Sequence, residues 1–108
     1  MLRMEIKNVS GSSVCKCYKL KRYENEWEKL DRKTCNMCGV NGKMDHGHVN
    51  IGNSTSMFIT PLCSRCNRSK RSDWMSPKNQ GNWYQLNCVC LKSEGSQSYG
   101  GASFCIVL

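Results

Sequence analysis

The segments CNMCG (residues 35–39) and PLCSRCN (residues 61–67) decide the fold, because each contains a C-x-x-C pair. Two cysteines separated by two residues can direct both sulfurs toward one ion, and two such pairs supply the four thiolates of a closed tetrahedral zinc site. Gly39 tolerates positive φ and suits a tight turn in which backbone N–H groups approach a sulfur. The spacing therefore predicts one structural zinc, rather than two disulfides or four buried thiols. Its ligands are Cys35, Cys38, Cys63 and Cys66.

The residues between and after these pairs predict a hairpin followed by a helix. DHGHV (residues 45–49) indicates one strand, Gly52-Asn53 a turn, and MFIT (residues 57–60) the returning strand. The polar residues after the second pair lack Gly and Pro, so a short helix is expected to start near Cys66. A turn, a hairpin, and a second turn leading into a helix form the treble-clef arrangement. We therefore expect an α+β fold with a zinc-stabilised treble-clef core over residues 35–71 and additional flanking β-strands.

These residues resemble the HNH, or ββα-metal, group of treble-clef proteins, in its four-cysteine variety. The resemblance covers about a third of the chain. It comprises the two C-x-x-C pairs, Asn67 after the last cysteine, Lys70 in the expected helix, and a histidine followed by an aliphatic residue, His48-Val49. Asp45-His46 matches the acid–histidine pair of the family as well, so two histidine registers stay open. The middle Asn of the family has no counterpart in SMFIT (residues 56–60).

The resemblance implies roles for individual residues. In HNH-like enzymes a strand histidine activates water, and a divalent ion stabilises the charged phosphate and the leaving oxygen. His48 or His46 would then be the general base, and Asp45 and Asn67 would be candidate ligands of Mg²⁺ or another divalent ion. The candidate phosphate contacts are Arg65, Arg68, Lys70 and Arg71. The same residues also fit an inactive module in which Asp45 caps a turn, so the sequence leaves open whether the protein is an enzyme.

The flanking sequence predicts one domain over residues 1–108, with further strands and one amphipathic helix. Alternating residues predict strands at 2–7, 14–20, 83–91 and 104–108. The helix is expected over residues 23–33, where Tyr23, Trp27 and Leu30 form one apolar stripe that would pack beside the first cysteine turn. Residues 93–103 are rich in Gly and Ser and are expected to form a flexible loop.

The outer cysteines suggest a second metal site. Residues i and i+2 of a strand share a face, so two paired C-x-C strands would bring four sulfurs together. These are Cys15, Cys17, Cys88 and Cys90. The alternative is that they are small core residues, since Tyr84 and Leu86 share the same face of the second strand. In either case Cys105 is left over and is expected to be a buried thiol.

Charge and composition restrict the class of partner. The formal charge is +8, and one zinc bound by four thiolates lowers it by two, so the protein stays basic and fits an anionic partner. We expect nucleic acid, DNA ahead of RNA, although each basic cluster also fits an ordinary solvated surface. The alternative is a protein–protein adaptor with Trp74, Trp83 or Tyr84 as anchors.

The sequence shows no signal peptide or apolar span, and its nine cysteines predict a cytoplasmic, reducing location without membrane contact.

Overall fold

The computed structural model describes residues 4–9, 17–54, 56–69, 73–86, 88–92 and 103–107. Within them, a four-stranded antiparallel sheet has the spatial order β1-β2-β3-β4. Its strands are β1 (Ile6–Asn8), β2 (Asp45–Ile51), β3 (Phe58–Leu62) and β4 (Tyr84–Gln85). A separate two-stranded antiparallel sheet pairs β5 (Cys88–Lys92) with β6 (Ser103–Val107). The short helices are α1 (Glu24–Glu28) and α2 (Ser64–Arg68). The α+β class and the flanking strands expected from the sequence are confirmed.

β2 and β3 form the predicted hairpin, and the structure places it at the centre of the four-stranded sheet. Gly52 and Asn53 have φ values of +60° and +65°, a conformation that glycine and asparagine tolerate best. The register pairs Gly47 with Thr60 and His48 with Ile59. Because alternate side chains of a strand point to opposite faces, this register decides which residues lie on each side of the sheet.

Two apolar clusters cover the two faces of the sheet. The first contains the cysteine turns, and its buried members are Ile6, Cys35, Met37, Met44, Val49, Ile51 and Leu62. The second lies under α1, and its buried members are Tyr23, Ile59, Tyr84 and Leu86. Trp27 and Leu30 pack against the second cluster, so the predicted apolar stripe is present. It packs on the opposite face of the sheet from the cysteines, however, and not beside the first cysteine turn.

Several predicted elements have different bounds. Residues Cys17–Lys19 form a 3₁₀ turn where a strand over 14–20 was expected, and α1 is shorter than the predicted helix over 23–33. The predicted strand over 83–91 is two strands in two sheets, β4 and β5. The predicted short helix of the second cysteine turn is present and begins at Ser64, two residues before Cys66. The expected loop over 93–103 lies outside the described residues except for Ser103, which begins β6.

Candidate metal centre

The first cysteine turn is held by backbone groups that surround the sulfur of Cys35. The N–H groups of Met37 and Cys38 each donate to this sulfur at 3.4 Å, and the N–H of Gly39 donates to the carbonyl of Cys35 at 2.9 Å. Gly39 has a φ of +82°, so the turn uses the left-handed conformation that its glycine permits. These bonds place Cys35 and Cys38 on one side of a tight turn, as a shared ion requires.

The second cysteine turn begins α2. The sulfur of Cys63 accepts a hydrogen bond from the N–H of Cys66 at 3.4 Å, and Cys63 is thereby the N-cap of the helix. The side-chain amide of Asn8 donates to the carbonyl of Cys66 at 2.8 Å and to the carbonyl of Ser69 at 3.0 Å. β1 therefore fixes the end of α2 on the same side of the sheet as the first cysteine turn.

The two turns bring the sulfurs of Cys35, Cys38, Cys63 and Cys66 within 4.8 Å of one another. The sulfurs of Cys38 and Cys63 lie 3.7 Å apart. A tetrahedral zinc with Zn–S bonds of about 2.3 Å needs sulfurs about 3.8 Å apart, so the cluster has the dimensions of such a site after minor contraction. A zinc ion held by all four thiolates would have no open position, as in structural zinc sites.

The protonation of the cluster depends on burial and on hydrogen bonds. Burial alone would raise the pKa of Cys35, but backbone N–H donors including those of Cys38 and Met37 outweigh it and lower this pKa to about 7. Burial, together with hydrogen bonds from the neighbouring thiols, raises the pKa of Cys66 well above its usual value. Four thiolates without a cation would repel one another, so a divalent cation would displace protons as it binds.

A buried polar network connects the first cysteine turn with β3 and with residues 79–82. Asn36 is 1% exposed, and its side-chain amide donates to the hydroxyl of Thr60 at 2.9 Å and to the carbonyl of Asn79 at 3.2 Å. Its side-chain oxygen accepts from the N–H of Asn79 at 2.7 Å. The hydroxyl of Thr60 in turn donates to the carbonyl of Asn82 at 2.8 Å. The sequence analysis missed Asn36 and Thr60, because their partners are distant in the chain.

The two histidines lie on the opposite face of the sheet from the cysteines. His46 stacks on Trp27 with ring centroids 3.8 Å apart. The ring centroid of Tyr18 lies 4.9 Å from that of His46 and 5.4 Å from that of His48. His48 is 8% exposed. Burial lowers the pKa of His46, although the charge of Asp45 opposes this shift in part. The imidazoles are therefore packed against aromatic rings under α1.

The other described residues implied by the resemblance lie on the side of the sheet that carries the cysteines. Asp45 pairs with Leu62 and shares its face, and Asn67 lies on α2, which packs on that face. Arg65 and Arg68 are exposed on α2. Lys70 and Arg71 lie outside the described residues. The sheet thus separates the histidines from Asp45, Asn67 and the described arginines, and the catalytic roles stay predictions.

The proposed second metal site is only partly within the described residues. Cys15 lies outside them, and Cys17 belongs to a 3₁₀ turn and not to a strand. Cys88 and Cys90 lie on β5, where their backbone partners are Val107 and Cys105 of β6. The pairing of two C-x-C strands on which that prediction depended is therefore not found in the described part of the chain. The second zinc stays a prediction.

No protein-family model, no characterised protein and no solved structure matches this chain. The similarity to HNH proteins consequently depends on the motif residues alone. Within the described part of the chain, no helix has the length and apolar character needed to cross a bilayer.

Proposed function

We propose that this protein is a structural zinc module of the treble-clef type that binds nucleic acid, DNA ahead of RNA. The contact is made by the basic surface around the two cysteine turns, which we call the knuckle surface. It consists of the exposed residues Arg32, Lys33, Lys43, Arg65 and Arg68. Four thiolates at the observed spacing favour zinc over Mg²⁺ and other ions that prefer oxygen ligands.

The observation that carries the proposal is the distribution of charge. Residues 32–44 and 62–69 contain five lysines and arginines and no acidic residue, and the sulfur cluster brings these two segments together. Three of the glutamates, by contrast, lie on α1, across the sheet. A zinc bound by four thiolates carries a net charge of −2, which leaves these two segments, with their five cations, at a net charge of +3. Such a surface neutralises phosphates and releases their counterions.

The described surface favours nucleic acid over a protein partner. Its exposed large hydrophobic residues are Met4 and Val40, and Tyr84 is only 7% exposed. Trp83 packs against the first apolar cluster, and Lys7 lies over the ring of Trp74 at 4.7 Å. The aromatic anchors expected of an adaptor are thus engaged within the fold, whereas the basic side chains of the knuckle surface face solvent.

Binding without cleavage fits the geometry best. A nuclease of the HNH kind would need its general base and its metal ligands around one phosphate. Here His46 and His48 contact aromatic rings on one face of the sheet, and Asn67 lies with α2 on the other. We therefore expect that purified protein with Mg²⁺ or Mn²⁺ nicks supercoiled plasmid no faster than its His46→Ala/His48→Ala variant. Nicking by the wild type alone would restore the endonuclease reading.

The binding proposal is tested by fluorescence anisotropy with a labelled DNA duplex over a series of salt concentrations. Removing two phosphate contacts with Arg65→Ala/Arg68→Ala should weaken binding to every sequence and reduce the slope of log K against log salt by about two. The matched control is Lys21→Ala/Lys29→Ala, which removes the same charge from exposed positions near α1. It should bind within a few-fold of wild type. Equal losses of DNA affinity for both variants would show that the knuckle surface is not the contact. Absence of DNA binding by the wild type at low salt would favour the protein–protein adaptor.

A further inference from the structure

The four cysteine sulfurs differ in their access to solvent. Cys35 is 0% exposed and Cys63 and Cys66 are half-buried, whereas Cys38 is exposed. A reagent in solution therefore reaches the cluster through Cys38. Reactivity of a cysteine depends on this access as well as on the charge that its sulfur carries.

The sulfurs also differ in their hydrogen bonds. Two backbone N–H groups donate to Cys35 and one donates to Cys63. Within the described residues, no backbone N–H donates to the sulfur of Cys38, whose contact is the sulfur of Cys63 at 3.7 Å. Where all four sulfurs are thiolates bound to zinc, an N–H donor withdraws charge and makes a sulfur a weaker nucleophile. Within the described residues the sulfurs of Cys38 and Cys66 both lack such a donor, and Cys66 is half-buried, so Cys38 alone combines exposure with the absence of an N–H donor.

We propose that Cys38 is an oxidation site, at which hydrogen peroxide attacks the cluster, and that Cys63 is the resolving cysteine with which it forms a disulfide. Cys63 is the suitable partner because its sulfur lies 3.7 Å from that of Cys38. Cys66 is equally half-buried but has no such close contact with Cys38 among the hydrogen bonds of the described residues, and Cys35 is buried and holds two N–H donors. This inference rests on the proposed zinc module, because oxidation would leave two of its four ligands. Its consequence is a loss of metal that depends on the redox state.

The chemistry balances with peroxide as the oxidant. The Cys38 thiolate attacks one peroxide oxygen, the O–O bond breaks, and a sulfenic acid and hydroxide are formed. The Cys63 thiolate then attacks the sulfur of this sulfenic acid and displaces a second hydroxide, giving the disulfide. Two thiolates lose two electrons, and one peroxide gains them. The sulfurs must approach from 3.7 Å to about 2.05 Å, a movement that the exposed turn at Cys38 can make.

The test uses the wild-type protein and mass spectrometry after limited exposure to peroxide or to iodoacetamide. Of the four clustered cysteines, Cys38 should be alkylated first, and the first disulfide-linked peptides should join Cys38 to Cys63. Initial modification at Cys35 or Cys66, or a dominant Cys35–Cys38 or Cys63–Cys66 link, would overturn the inference. A metal count before oxidation separates the two proposals. A protein without zinc would contradict the zinc module, whereas the order in which the cysteines are modified tests the reactivity of Cys38.

A pair of variants that keep four zinc ligands provides a second measurement. Zinc accepts three cysteines and one histidine, so Cys38→His and Cys66→His can both retain the ion. Zinc release by peroxide, followed with a chromogenic chelator, should be about tenfold slower for Cys38→His and close to wild type for Cys66→His, since only the first removes the reactive thiolate. Equal rates for the two variants would overturn the inference. Where either variant fails to hold zinc, the order of modification in the wild type decides.

Discussion

Gly47 of β2 lies against the side chain of Leu62. A Cβ at this position would overlap the Leu62 side chain, which belongs to the first apolar cluster. We expect Gly47→Ala to lower the free energy of unfolding by about 1–3 kcal/mol, because a packed core accommodates an added methyl only by moving its neighbours. Urea denaturation measures this change. In a Leu62→Ala background the same substitution should cost clearly less, and strictly additive losses would contradict the proposed overlap.

His46 makes stability depend on pH. Burial holds its pKa in the folded protein below the ordinary value of 6.5, so the unfolded chain binds more protons between those two pKa values. The neutral His46 imidazole therefore contributes its full stabilisation of the folded state above pH 6.5, and this contribution is lost as the pH falls through the folded pKa. We expect wild type to lose more unfolding free energy than His46→Gln across this window.

The difference between the two proteins is the informative quantity, since both lose zinc as acid protonates the cysteines. Urea titrations at matched pH values measure it. Parallel pH profiles for wild type and His46→Gln would show that the imidazole titrates alike in the folded and unfolded states.

At the scale of elements, the end of α1 shows why its length could not be predicted. The pattern of Tyr23, Trp27 and Leu30 continues a helix to residue 33, yet α1 ends at Glu28. Asn82 accepts from the N–H of Asp31 at 2.9 Å and donates to its carbonyl at 2.8 Å. These partners lie 51 residues apart, so nothing in the local sequence indicates that the backbone leaves the helix there.

The hairpin and the cysteine turns were predictable for the opposite reason. The alternation in β2, the Gly52-Asn53 turn and the C-x-x-C spacing are signals between near neighbours in the chain. The sequence could also indicate that His46 and His48 share one face. It could not indicate that α1 would cover that face while α2 covered the other, because this depends on how distant elements pack.

Asn36 connects three elements, and its loss should weaken them together. It donates to Thr60 and Asn79 and accepts from Asn79 while only 1% exposed. Asn36→Ala would remove one bond to the Thr60 hydroxyl, which keeps its bond to Asn82, and both bonds to the backbone of Asn79. We expect a loss of about 2–4 kcal/mol in unfolding free energy. The control is Asn41→Ala, since Asn41 bonds to Thr34 at an exposed position. Urea denaturation should show at most a small change for the control, and equal effects would argue against a buried network.

For the whole molecule, we expect the proposed zinc to decide whether the chain folds. A structural zinc contributes about 10–16 kcal/mol in small zinc modules, whereas the net stability of a domain is about 5–15 kcal/mol. The sulfur cluster unites the two cysteine turns, and α2 and Leu62 pack beside it. Loss of the ion should therefore abolish the folded state and not merely loosen one turn.

Cys63→Ser tests this expectation, because it removes one ligand and also the acceptor that caps α2. Thermal denaturation should show no cooperative transition, and elemental analysis should show loss of the zinc bound by this cluster. Treating wild type with a strong chelator should give the same result. Cys105→Ser makes the same chemical change outside the cluster and should retain both the zinc and the transition. A Cys63→Ser protein with native NMR dispersion would show that the packing of the four-stranded sheet is sufficient for folding without a complete metal site.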